Sequence, residues 1–448
     1  MGAKKIFAAL LSAAMVIGMT ACSGGAVSST VGAASTGSTP VSSSSSTKAG
    51  DKTITIWCWD DNFNVKAAKI AKEIYEKNNP GVTVNVVSQA QTDIVQKLNT
   101  ALSSGTYDGL PNIVLIEDYR IQNYLSSYPG ELKDLSSIVD KNKFMDYKLG
   151  VMTENGKIFG VPFDSGVAAT FYRTDYIQKA GYTKADMENL TWDKYIEIGK
   201  AVKQKAGKSM LTLDPSDLGQ IRMMMQSAGA WYVKDDGKTV NIAGNDALKQ
   251  AITTYKKIVD SGIATQISGW DPFVAAFQKG DVATVPTGCW IAPTISSAKD
   301  QSGKWAIAGI PRMAENSKSV NASNIGGASW YVLDKVGNSD LATDFLSKTF
   351  ASNNDLMNTL AEQINLVSTL KSASSTENYS KDNAFFGGQK IFKDFSSWTE
   401  KIPTVNYGLY TYSIEDIMTE AVQSIVKGAD IDSTLKNAQA QAEAAVVK

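Results

Sequence analysis

Residues 54–62 read I-T-I-W-C-W-D-D-N, an apolar run that ends in two tryptophans and two aspartates. Thr53–Trp57 has the β-branched, apolar composition of a strand. Lys66–Lys77 follows, with Ala67, Ile70, Ala71, Ile74 and Tyr75 at helical spacing. Val82–Val87 reads as a second strand. Asp93–Ser103 reads as a helix with Ile94, Val95, Leu98 and Leu102 inward, and Asn112–Ile116 as a third strand. This β-α-β-α-β order predicts a parallel sheet covered by helices.

Farther along, Asn245 caps a helix carrying Leu248, Ala251, Ile252, Tyr255, Ile258 and Val259 and closed by Gly262. Asp271-Pro272 opens another helix that stops at Gly280. Ile414, Ile417, Met418, Ala421, Val422, Ile425 and Val426 line a long apolar face that ends at Gly428. The chain has 448 residues, of which 43% are hydrophobic and 20% charged. That is too long a pattern for one sheet domain, so two α/β lobes are expected. A ligand then sits outside the carboxyl ends of the parallel strands, where the opening stretch lies.

The N-terminus has a different character. Lys4 and Lys5 precede an apolar run that ends in small residues, the pattern of a secretory signal over residues 1–21. The run is too short and wrongly flanked for a permanent membrane span. Met19-Thr20-Ala21-Cys22 resembles a bacterial lipobox, with Met19 in place of the usual Leu, which makes Cys22 the lipidated residue. Residues 22–50 are Ser/Gly-rich, with five serines at Ser42–Ser46. Such a segment buries too little apolar surface to order itself and spans roughly 30 Å as a leash.

Composition excludes several chemistries. The chain has no histidine, which removes His-based acid/base catalysis and the commonest transition-metal ligand. Cys58 and Cys289 read as free thiols, half-buried. No basic stripe points to nucleic acid. Gly207-Lys208-Ser209 lacks the first glycine of a phosphate loop, since Val202 stands in its place. No G-x-S-x-G turn or calcium-loop spacing occurs. No cofactor and no metal are implied.

The chemistry-bearing residues cluster at segment ends instead. Trp59, Asp60 and Asp61 end the first strand, and Glu117 and Asp118 end the third. Val161-Pro162-Phe163-Asp164, Thr287-Gly288-Cys289-Trp290 and Gly326-Gly327-Ala328-Ser329-Trp330 repeat the mixture of aromatic rings, acids and glycines. Trp330 is read as preceding a strand at Tyr331–Leu333. An aromatic face suits the C–H side of a sugar ring, and carboxylates accept hydrogen bonds from its hydroxyls. Trp192 and Trp305 read as packing residues. Trp231 and Trp270 are undecided; Trp270 stands before a helix start, a position open to the cleft, and is kept as a site candidate.

These stretches, together with G-K-I-F-G-V-P-F-D and F-Q-K-G-D-V-A-T-V-P-T-G-C-W, resemble family 1 extracellular solute-binding proteins, the sugar receptors of bacterial ABC importers. The resemblance covers essentially all of residues 51–448, and W-C-W-D is most similar to receptors of lactose or arabinose type. It implies a two-lobed fold with a hinge, one lobe at 51–163 plus 325–371 and the other at 164–324 plus 372–448. It places Trp59, Asp60, Glu117, Asp118, Asp164, Trp290, Gly327, Ser329 and Trp330 around the ligand, and Asp61 and Trp270 join them as candidates from their own positions in the sequence. Phe385-Phe386-Gly387-Gly388 and Tyr407–Tyr412 are further wall candidates. It also implies a monomer, anchored by lipid to the outer face of a Gram-positive cytoplasmic membrane, that hands its sugar to the transmembrane subunits of the importer. The competing class is a surface-anchored glycoside hydrolase using two of Asp60, Glu117, Asp118 and Asp164.

Overall fold

A computed structural model describes residues 52–446. The signal segment, Cys22 and the Ser-rich leash lie outside these residues.

Ile54 and Ile56 are fully buried in the strand Thr53–Cys58, which sits inside a five-stranded sheet. Across the sheet the order is Thr83–Ser88, Thr53–Cys58, Ile113–Glu117, Ala328–Val332 and Gly160–Pro162. The first three are parallel, as the alternating pattern requires, and Ala328–Val332 runs antiparallel to both of its neighbours. The helix Asn64–Asn78 buries Ala67, Ala71 and Tyr75, and Gln91–Ser104 buries Ile94, Leu98 and Leu102. Gly105 stops the latter helix in the left-handed conformation, at φ 65°, where a side chain is disfavoured.

The second sheet is smaller. Ala168–Arg173 lies between Thr284–Gly288 and Trp305–Gly309, antiparallel to both. Leu211–Leu213 and Ala264–Gln266 form a parallel pair beside it. The helix Asp246–Asp260 begins at Asn245, whose side chain accepts from the Leu248 amide at 3.0 Å. The helices Thr411–Val426 and Ile431–Val446 close the chain.

Three segments pass side by side between the two sheets. Val167 bridges Asn324 and Asp164 bridges Ser368. The Ile325 amide donates to the Gly166 carbonyl and the Ser165 amide to the Val367 carbonyl, each at 2.8 Å. The architecture is thus two α/β lobes joined by crossing strands, a hinge geometry with a cleft between the lobes.

Among the described residues no helix is long and apolar enough to cross a membrane. Cys58 and Cys289 form no disulfide, and both are fully buried rather than half-buried. Burial, with Asp61 adding to it, pushes the Cys58 thiol up to about 12.

Candidate functional site

The first strand ends at Cys58, and the chain then turns sharply. Asp60 adopts φ 63°, a left-handed conformation that non-glycine residues avoid without local support. The support is a turn in which the Asp60 carbonyl accepts from the Phe63 and Val65 amides and its side chain accepts from the Asn62 amide at 3.0 Å. The turn leaves Trp59 half-buried and Asp60 exposed, both bordering a hollow of about 1030 Å³. Trp57, inside the strand, packs below Lys97 at 5.5 Å and borders a different hollow.

The opposite wall comes from the other lobe. Trp290 stands just past the strand Thr284–Gly288, and its indole donates to the Ile325 carbonyl at 3.0 Å. Trp270 begins the helix Trp270–Gln278 and is 54% exposed. The two indoles lie 6.1 Å apart, tilted by 35°. Glu117, Asp164, Asp271, Gly326 and Gly327 also line the hollow, with the neutral polar side chains of Asn62, Asn64, Gln91, Gln278 and Thr294. A second hollow of about 370 Å³ shares Glu117, Trp270, Trp290 and Gly326 with the first and continues toward Asp214, Asp217 and Arg222. Aromatic faces from both lobes therefore meet carboxylates across one continuous cleft.

Beneath the cleft floor lies a lysine that sequence reading missed. Lys148 is 1% exposed and donates to Asp118 at 2.6 Å and to the Ala328 carbonyl at 2.9 Å, and it lies 3.6 Å from Asp164. Asp164 Oδ1 also accepts from the Ala328 amide at 2.7 Å. Gly327 fits here because it has no side chain: a Cβ would stand 2.7 Å from Asp118 Oδ2, and φ is 99°. Burial raises the Asp118 carboxyl to about 6 despite the lysine beside it.

Glu117 ties the lobes together. One of its oxygens accepts from Gln91 at 3.2 Å and from the Tyr412 hydroxyl of the last but one helix. Arg120 lies 3.4 Å from that oxygen and 4.1 Å from the Tyr412 ring centroid. Behind it, Tyr119 stacks on Trp231 at 5.5 Å and meets Tyr407 edge-on at 4.7 Å. Arg222 is shared between Glu415 at 2.7 Å and Asp217 at 3.3 Å. Burial, opposed by Arg222 and reinforced by Asp217, raises Glu415 to about 7.

Several expected site residues lie elsewhere. Trp330 is 0% exposed and packs between Phe163 and Phe350, with ring centroids 5.2 and 5.1 Å away. The strand starts at Ala328 rather than Tyr331, so Trp330 is already inside it, opposite Leu115. Ser329 is fully buried and donates to Asp118 at 3.2 Å. Asp118 is consumed by Lys148 and Ser329. Asp61 is exposed but does not border the cleft. Phe385 and Phe386 pack inward, Phe386 lying 6.0 Å from Phe171. Trp192 and Trp305 are core residues, and the undecided Trp231 joins the buried stack. Trp59, Asp60, Glu117, Asp164, Trp270, Trp290 and Gly327 are brought together at the cleft.

Comparison with known proteins agrees with this architecture. A model of the bacterial extracellular solute-binding proteins matches residues 70–387. A lactose-binding protein of Rhizobium radiobacter is 45% identical over 397 residues, covering 89% of this chain and 94% of that protein. An arabinooligosaccharide-binding protein of Bacillus subtilis strain 168 is 26% identical, over 68% of this chain and 70% of its own. Among solved structures, the galacto-N-biose-/lacto-N-biose I-binding protein of the ABC transporter from Bifidobacterium longum superposes with a TM-score of 0.71. It shares 23% identity and covers 88% of this chain and 97% of that one. Lobes, crossing strands and sequence match together show that the chain belongs to the bacterial extracellular solute-binding proteins.

Proposed function

We propose that the protein is the sugar receptor of an ABC importer, closing its lobes around a di- or oligosaccharide and releasing it to the transmembrane subunits. The observation that carries this reading is the facing of Trp59 from one lobe and Trp270 and Trp290 from the other across a hollow lined by carboxylates. Stacked rings cover the C–H faces of a sugar, and ionised acceptors hold its hydroxyls with charge-assisted hydrogen bonds. The sugar-binding names of the relatives point the same way. A micromolar receptor needs about 8 kcal/mol net, within reach of several such contacts at about 1.5–3 kcal/mol each. A ligand that touches both lobes binds the closed form better and shifts the population toward it.

The lobe boundaries proposed are 51–163 plus 325–371 and 164–324 plus 372–448, supported by sheet membership and by the crossings at Val167, Asn324 and Ser368. The Trp59, Asp60, Glu117, Asp164, Trp270, Trp290 and Gly327 set is the proposed contact surface. The mature protein is a monomer lipidated at Cys22 on the outer face of a Gram-positive membrane, and it binds sugar without turning it over. A thermal-shift screen with lactose, arabinotriose and maltotriose tests the reading, because a ligand specific to the native state raises the melting temperature. A rise with no product formed supports it. No shift with any carbohydrate, or catalytic release of shorter sugars in excess over protein, contradicts it.

A further inference from the structure

We propose that the cleft filters its sugars by charge, accepting neutral and amine-bearing oligosaccharides and rejecting those that carry a carboxylate. This rests on the cleft being the sugar site.

Four carboxylates, Asp60, Glu117, Asp164 and Asp271, border the larger hollow, and among the described residues no lysine or arginine does. The smaller hollow adds Asp214 and Asp217 and a single cation, Arg222. The cations near the cleft each face a carboxylate. Lys148 is shared by Asp118 and Asp164, Arg222 by Asp217 and Glu415, and Arg120 faces Glu117. Asp60, Asp214 and Asp271 have no ion-pair partner among the described residues.

One acceptor aims at the ligand space with particular force. Asp164 is 6% exposed, and its Oδ1 is held by the Ala328 amide and faces Lys148, whereas Oδ2 accepts no hydrogen bond from any described residue. Asp164 borders the hollow, so this second oxygen is left for a donor from outside the protein. Sugar hydroxyls and ammonium groups are donors; a carboxylate is not.

Part of the backbone around the cleft is already committed. In the glycine-rich loop, the Gly326 amide donates to the Tyr119 hydroxyl at 3.1 Å and the Ala328 amide to Asp164. The helix Trp270–Gln278 opens onto the cleft with Asp271 in its first turn, where that charge opposes a second anion. A uronate entering here sheds water, meets like charges and finds no free donor cation.

The test is calorimetric titration of the full chain with lactose, arabinotriose and maltotriose, with singly carboxylated counterparts and with the matching primary amides. The amide keeps the shape of the carboxylate without its charge. The expected result is binding of neutral sugar and amide, at least tenfold weaker binding of the carboxylate, and a gap that narrows as salt is raised toward 1 M. Carboxylates that bind as tightly as amides, or amides that lose as much as carboxylates, overturn the charge filter and leave the sugar receptor standing. Failure of every carbohydrate to bind overturns the receptor reading itself.

Discussion

Gly288-Cys289-Trp290 and Gly327-Ala328-Ser329-Trp330 look alike as sequence, and the molecule uses them in opposite ways. Trp290 stands beyond the end of its strand, half-buried against the cleft. Trp330 stands inside its strand, sealed between Phe163 and Phe350. The strand carrying Trp330 runs antiparallel to Ile113–Glu117, so its amino end meets the cleft: Ala328 pairs with Glu117 and Trp330 with Leu115, two steps inward. The difference teaches that a residue's distance from the strand end at the cleft, more than its type, decides whether it serves ligand or core.

The comparison predicts a separation of effects. Trp330→Ala empties a core site between two phenylalanines and should cost about 3–5 kcal/mol of stability. Denaturant titration reads that loss, while sugar affinity per folded molecule stays within a few-fold of the parent. Loss of binding without loss of stability would reverse the assignment.

Lys148→Met leaves Asp118 and Asp164 buried together without their cation, at a cost of about 3–5 kcal/mol. Lys148→Met combined with Asp118→Asn removes one of the stranded charges and should recover much of that stability. If the double variant is no better than the single one, the buried pair is not what holds the floor.

Trp290→Ala should do the converse of Trp330→Ala. Removing a ring that covers sugar costs about 1.5–3 kcal/mol of binding, or about 10- to 150-fold in Kd, with little change in melting temperature.

Glu415 supplies a pH test behind the cleft. Its folded-state pKa is raised from 4.5 to about 7, so its contribution to stability is fully present below 4.5 and lost as pH rises through 7. Wild-type melting should therefore fall between pH 5 and 8 by more than that of Glu415→Gln. Parallel pH profiles would contradict the assignment. The smallest effect belongs to Asp61→Asn, an exposed neighbour of Asp60, which should change both stability and affinity by less than about 0.5 kcal/mol.

Much of this was legible before the structure. The periodicities from Thr53 to Ile116 correctly announce a parallel sheet with helices, because apolar spacing directly reports which face is buried. The strand-end rule points to Trp59, Glu117 and Trp290, since each lies at or past a strand's carboxyl end. It fails at Ser329 and Trp330 because strand direction depends on long-range pairing that local composition does not encode. Lys148 was illegible for a related reason. It sits in the short helix Asp146–Val151, and only folding brings it to Asp118, thirty positions away in the chain, and to Asp164.

The most direct measurement is calorimetric titration of lactose, arabinotriose and maltotriose into the wild type, Trp59→Ala and Trp290→Ala. One sugar bound per chain in the wild type, and at least tenfold weaker binding in both variants at unchanged melting temperature, is the predicted result. Equal affinity in all three proteins would contradict a ligand gripped between the lobes.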